Sequence, residues 1–141
     1  MIAFECISVE VPELSLELFS FWLSEVAIEE GRSTGEITLI FCSDEHLLDM
    51  NQQYLKHDYY TDIITFDYSE DAEISGDLFI SIDRVYDNAL ENAVTRELEL
   101  KRVCVHGVLH LCGYGDKSEQ ESRIMRAKED YYLDKYVSRE T

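Results

Sequence analysis

The run Val103-Cys104-Val105-His106-Gly107-Val108-Leu109-His110-Leu111-Cys112-Gly113 limits what this chain can fold into more than any other stretch. It reads as a helix that is apolar on nearly every side, a pattern that suits the interior of a protein. Its two polar rings, His106 and His110, are four residues apart and so share one face, one turn above the other. Buried imidazole nitrogens need partners. Those partners are either hydrogen-bonding groups of the core or a metal ion.

Gly113 is where the helix should stop, because a left-handed residue after the last turn is easiest for glycine. The chain can then fold back over the same face and bring Asp116 towards the histidines. Two nitrogens and one oxygen suit zinc with a fourth position open to water, the pattern of a catalytic rather than a structural site. Two neutral imidazoles and a carboxylate leave about +1 around a divalent ion, which makes a bound water markedly more acidic. The spacing also approaches the His-Glu-x-x-His-x-x-Gly-x-x-His/Asp pattern of zinc peptidases. Gly107 occupies the position of their glutamate base, so peptidase chemistry is disfavoured. Cys112, two residues past His110, points away from the histidine face and is not expected to be a ligand.

The motif His-Gly-x-Leu-His-Leu-x-Gly-Tyr resembles the signature of the YbeY-type family of metal-dependent endoribonucleases, bacterial ribosomal RNA maturation factors. Asn51-Gln52-Gln53-Tyr54, Thr61-Asp62-Ile63-Ile64-Thr65-Phe66 and Gly76-Asp77 resemble further blocks of that family in the same order. Met125 and Glu129 fall where it has a methionine and an acid in its last helix. The likeness runs from about Gly35 to Tyr132. It implies a small sheet with helices packed on it and one zinc ion per chain, held in a cleft by His106, His110 and Asp116.

Two departures from the family pattern stand out. Its usual third ligand is a histidine, here Asp116, preceded by Gly115 where an aspartate is common. A carboxylate still ligates zinc well, with changed affinity or metal preference expected. The arginine that follows the family's Asn-x-x-Tyr block, thought to act on RNA phosphate, is Leu55 here. Lys56 and His57 beside it, and Arg102 one turn before His106, are the candidate substitutes, against a reading of all three as solvated surface charges.

The rest of the chain supplies the scaffold. At 141 residues it is expected to form one domain, residues 1–141, with a core that needs no disulfides. Cys6, Cys42, Cys104 and Cys112 lie far apart in apolar runs and read as reduced thiols. No apolar run approaches the roughly 20 residues that cross a bilayer, and no basic segment precedes an apolar one at the N-terminus, so a cytoplasmic setting is expected. Strands are expected over residues 2–9, 36–42, 61–68 and 77–82.

Pro12 opens the first helix, with Leu14, Leu18, Phe21, Trp22 and Val26 facing inward. Ser43 caps a second, with Leu47, Met50 and Tyr54 inward. Asp83 caps a third running to about Val94, Thr95 caps the helix carrying the histidines, and Ser118 with Glu121 forms a capping box for the last. Glu70, Asp71 and Glu73 read as a solvated turn. Four strands and about five helices without a repeated strand-helix-strand rhythm predict an α+β fold with a small mixed four-stranded sheet and the site at the end of a central helix.

A formal charge of −18 opposes an RNA partner, because nucleic-acid affinity rests on lysine and arginine. The charge is uneven. Residues 96–128 hold seven basic and five acidic residues, +2, while the remainder sums to −20. The resemblance implies a single-strand-specific endoribonuclease acting in ribosomal RNA processing, namely 3′-end maturation of 16S rRNA, and in ribosome quality control. Its partner would be the small ribosomal subunit, delivery by a protein partner would offset the repulsion, and neither membrane nor DNA is expected. Two alternatives stand beside it: a non-catalytic ribosome-assembly factor whose metal staples the fold, and a metal-dependent hydrolase of another substrate.

Overall fold

Ten residues from Ser33 to Cys42 form β2, the inner strand against which the sheet is assembled. In a computed structural model of the chain, which describes residues 1–10, 15–56 and 60–140, β1 (Ile2–Cys6) runs parallel to one side of it. On the other side β4 (Glu73–Ser81) is also parallel, and β3 (Ile63–Asp67) pairs antiparallel with β4. The order is therefore β1-β2-β4-β3, a mixed four-stranded sheet. Both faces of β2 are covered, which explains its nearly continuous apolar and β-branched sequence.

Alternation along the inner strands assigns side chains to two layers. Leu39, Phe41, Leu78 and Ile80 face the main core, with residues of α1 (Leu16–Glu29), α3 (Ile82–Glu91), α4 (Arg96–Leu111) and α5 (Glu119–Glu140). Cys42, Ile64, Phe66 and Phe79 face the opposite way and are covered by Leu47 and Met50 of α2 (Asp44–Leu55). Helix α4 lies directly on the sheet. A Cβ added at Gly107 would come within 2.8 Å of Ile63 Cδ1 and 2.9 Å of Leu78 Cδ1, so any larger residue would have to displace these side-chain tips. The position of a peptidase glutamate is thus the floor of the helix–sheet interface. Helix α5 closes the other side of α4, tied to α1 by Trp22 Nε1 donating to the Tyr132 carbonyl at 2.9 Å.

The α+β class, the mixed sheet and the five helices of the described residues match the sequence reading, and several details change. Helix α1 starts at Leu16 under a Ser15 cap, while Pro12 and Leu14 lie outside the described residues. Its buried face is Phe19, Trp22, Leu23, Val26 and Ala27, and Phe21 is half exposed. Phe21 and Trp22 are neighbours about 100° apart on the helix, and the sheet meets the Trp22 side. Tyr54 is also exposed, standing edge-on to Phe66 where α2 ends.

Ser81, not Asp83, caps α3: its Oγ accepts from Arg84 N at 3.1 Å, and Asp83 instead accepts from Asp44 N at 2.9 Å. That helix stops at Glu91 because Ala93 adopts positive φ. The caps at Ser43 and Thr95 and the Ser118–Glu121 box are as expected. All four cysteines are free thiols.

Candidate metal centre

Helix α4 ends in a turn that builds half of the site. Gly113, at φ +107°, allows its own N–H to reach the His110 carbonyl at 2.9 Å and the Tyr114 N–H to reach the Leu109 carbonyl at 3.1 Å. This paired closure is a Schellman motif. It turns the Tyr114 carbonyl back onto the helix, where it lies 2.8 Å from Nδ1 of His110. Arg32 braces the same turn by donating to the Cys112 carbonyl at 2.9 Å.

Three residues later the loop delivers Asp116, whose carbonyl is held by Ser122 Oγ at 3.0 Å. Its Oδ2 lies 3.2 Å from Nε2 of His106 and 3.4 Å from Nε2 of His110, and the two Nε2 atoms are 3.0 Å apart. The sequence-predicted trio therefore converges, with one potential ligand atom from each residue.

The backs of both rings set which lone pairs face the front. Nδ1 of His106 faces Glu129 Oε2 at 2.7 Å and Nδ1 of His110 faces a carbonyl, so both Nδ1 atoms carry the proton that is donated. In the neutral rings the Nε2 lone pairs then point at one another and at a carboxylate. Three acceptors at 3.0–3.4 Å repel unless a proton or a metal cation sits among them. Zinc–ligand bonds of 2.0–2.2 Å at tetrahedral angles put ligand atoms about 3.3 Å apart, so the donor set fits. Asp116 is half exposed, which leaves the trio open to solvent on one side. Cys112 is not part of the trio, and burial pushes its thiol up to about 11.

The same partners set the charge on these groups. Burial disfavours charge on His106, but the Glu129 hydrogen bond and the charges of Glu129, Asp116 and Asp62 outweigh it and lift the ring above its ordinary value. Glu129 is itself buried, which raises a carboxyl, yet His106 and Arg102 hold it below the usual range. A cavity of about 360 Å³ opens beside the trio, lined by Asp62, Glu99, Arg102, His106, Asp116, Arg126 and Glu129 among others. Burial raises the Asp62 and Glu99 carboxyls within it.

The candidate substrate contacts fare differently. Arg102 lines the cavity, but its guanidinium donates to Glu129 Oε1 at 2.9 Å and to Asp130 Oδ1 at 2.8 Å. Lys56 is the left-handed C-cap of α2, exposed and outside the cavity wall. His57 lies outside the described residues. Reasoning from residue types missed Arg126, Asp62 and Glu99 as cavity residues and the bond from Glu129 to His106. A signal for the last existed: Met125, Glu129, Tyr132 and Tyr136 form a buried stripe at helical spacing, and an acid within such a stripe needs a partner.

A second polar cluster supports the Tyr114 turn. Glu30, nearly buried at the end of α1, accepts from Tyr114 Oη at 2.6 Å, from Lys128 Nζ at 3.0 Å and from Tyr132 Oη. Burial alone would raise its carboxyl, but these donors together hold it below the usual range.

Comparison with known proteins places this architecture. The sequence profile described as endoribonuclease YbeY matches residues 3–137. An endoribonuclease YbeY of Phocaeicola vulgatus is 50% identical over 133 residues, covering 94% of this chain and 96% of the relative. Another, from Cytophaga hutchinsonii, is 58% identical over 113 residues, covering 79% of each. A solution structure of a Thermotoga maritima protein superposes with a TM-score of 0.69 at 28% identity, over 99% of this chain and 91% of that one. With the profile running through both histidines, Asp116 and Glu129, and relatives half identical along nearly their whole length, the chain belongs to the endoribonuclease YbeY family.

Proposed function

We propose that this protein is a zinc-dependent endoribonuclease that cuts single-stranded RNA, with His106, His110 and Asp116 as ligands of one ion per chain. The observation that carries the reading is the set of three lone-pair atoms, 3.0–3.4 Å apart, with both imidazole tautomers set from behind and one side open to a cavity. When bound, zinc supplies a Lewis acid that makes water more acidic and offsets charge developing on phosphate oxygens.

The chain's own residues orient and tune the site. Glu129 and the Tyr114 carbonyl take the Nδ1 proton of each histidine, so that in the neutral rings both Nε2 lone pairs aim at one point. Asp62 and Glu99 place two carboxyls in the cavity wall, both raised by burial. At about 360 Å³ the cavity lies at the low end of small-ligand sites, about 300–1,000 Å³, and suits a short stretch of one strand rather than a duplex. The substrate under this reading is ribosomal RNA, at the 3′ end of the small-subunit RNA, in the cytoplasm. The net charge of −18 favours delivery by the small subunit or a basic protein partner over capture of free RNA.

The same charge, with Leu55 in place of the family's arginine, favours a second reading, a ribosome-assembly factor whose metal is structural. Metal content tests both readings, and cleavage separates them. Protein purified without chelator or nickel resin should carry about one zinc per chain, lost in His106→Ala. Wild type should cut ribosomal RNA fragments that His110→Ala leaves intact. Equal cutting by both proteins overturns the metal mechanism. Bound metal without turnover, with melting temperature and particle binding lost together on stripping, supports the structural reading.

A further inference from the structure

An RNA phosphate that reaches the metal trio must pass a wall that is mostly acidic. Asp62, Glu99, Asp116 and Glu129 line the cavity, and against them, among the described residues, stand two cations, Arg102 and Arg126. These two guanidiniums differ in what they hold. Arg102 is about one-fifth exposed and spends its charge on Glu129 and Asp130 in two short bonds. Arg126 is 63% exposed, and its nearest carboxylate among the described residues is Glu129 Oε1 at 3.9 Å, beyond hydrogen-bond reach.

Arg126 also stands in the right row. Ser122, Met125, Arg126 and Glu129 form the face of α5 turned to the cavity, at the spacing of one helical stripe. In that stripe Ser122 holds the Asp116 loop and Glu129 holds His106. The stripe therefore fixes Arg126 between the two supports of the metal trio, with its guanidinium facing solvent.

We propose that Arg126 is the phosphate-binding residue of the cleft, its guanidinium taking the non-bridging oxygens of a phosphodiester in single-stranded RNA while an adjacent phosphodiester lies at the metal trio. The assignment rests on the RNA reading above. A planar guanidinium with unspent donors is the side chain best matched to a phosphate, and among the described residues of this cavity Arg126 is the cation whose donors are not already committed to carboxylates. It supplies binding and orientation rather than proton transfer.

The test uses zinc-loaded protein, a short fluorescent single-stranded RNA of mixed sequence, and initial rates at several salt concentrations. Arg126→Ala should raise KM about tenfold, the equivalent of about 1.4 kcal/mol, and change kcat less than about threefold. The slope of log KM against log salt should fall by about 0.7, the share of one phosphate contact on a single strand. Arg126→Lys should restore most of the salt slope but only part of KM, because an ammonium lacks the paired donors. Arg123→Ala, which removes an exposed arginine paired with Glu119 outside the cavity wall, should match wild type.

A wild-type KM and salt slope in Arg126→Ala, while wild type cuts, overturns the assignment and leaves the RNA reading standing. Loss of bound zinc in Arg126→Ala with KM unchanged also overturns it, since Arg126 would then act through Glu129. If wild type neither binds nor cuts the RNA, the RNA reading fails and this assignment fails with it.

Discussion

Oε2 of Glu129 lies 2.7 Å from Nδ1 of His106, and the other oxygen of the same carboxylate accepts from Nη1 of Arg102 at 2.9 Å. One buried acid from the last helix thus orients a ligand ring and is itself neutralised from behind. Outer partners of this kind are worth about 10–100-fold in metal affinity. Glu129→Ala should weaken zinc binding by about that factor in competition against a chromophoric chelator. Arg102→Ala should shift affinity in the same direction by less, because Glu129 remains. Wild-type affinity in Glu129→Ala would mean that the turn at Gly113 suffices to orient the site.

The packing of α4 on the sheet predicts a sharp size limit. Gly107→Ala places a methyl 2.8–2.9 Å from the tips of Ile63 and Leu78, which must shift to accept it, and overpacking of this sort costs about 1–3 kcal/mol. Urea unfolding should show the midpoint falling by that amount with little change in slope. A neutral substitution would show that α4 can lift from β3 and β4 without cost.

Glu30 predicts an acid-side dependence. Its folded carboxyl lies below the ordinary value, despite the opposing effect of burial, because Tyr114, Tyr132 and Lys128 donate to it. The stabilisation is therefore complete above the unfolded value, about 4.3, and is lost as pH falls through the lower folded value. Glu30→Ala should cost about 2 kcal/mol near neutrality, roughly 5–10 °C in Tm. The gap from wild type should narrow below about pH 4, as read by melting curves from pH 3 to 7. A gap that stays constant over that range would assign the loss to packing instead.

Metal removal should register in stability as well as in activity. A ligand present at about 100 times its Kd stabilises the folded state by about 2.7 kcal/mol. Chelation should therefore lower the wild-type Tm, and His106→Ala should melt at the same temperature with or without zinc. A zinc response that survives in His106→Ala would place the ion elsewhere.

What the sequence determined by itself is local. The helix with paired histidines, its glycine stop, the caps at Ser43, Thr95 and Ser118, and the return of Asp116 all follow from helical period and cap chemistry acting over a few residues. Even the strand count was legible, because alternation and β-branching mark strands wherever they pair. Local rules failed where an element meets a neighbour. Phe21 and Tyr54 fit their helices' apolar patterns, yet the sheet covers other faces and leaves both exposed.

Only the tertiary structure decided which groups meet across elements. Glu129 comes from 23 residues away to hold His106, Glu30 from 84 residues away to hold Tyr114, and Asp130 takes part of Arg102's charge. A helical pattern shows which face is buried but not which polar atom stands opposite. That choice depends on how α5 and α1 pack around α4, and it is why one arginine is spent on carboxylates while another, Arg126, faces the cleft with its donors open.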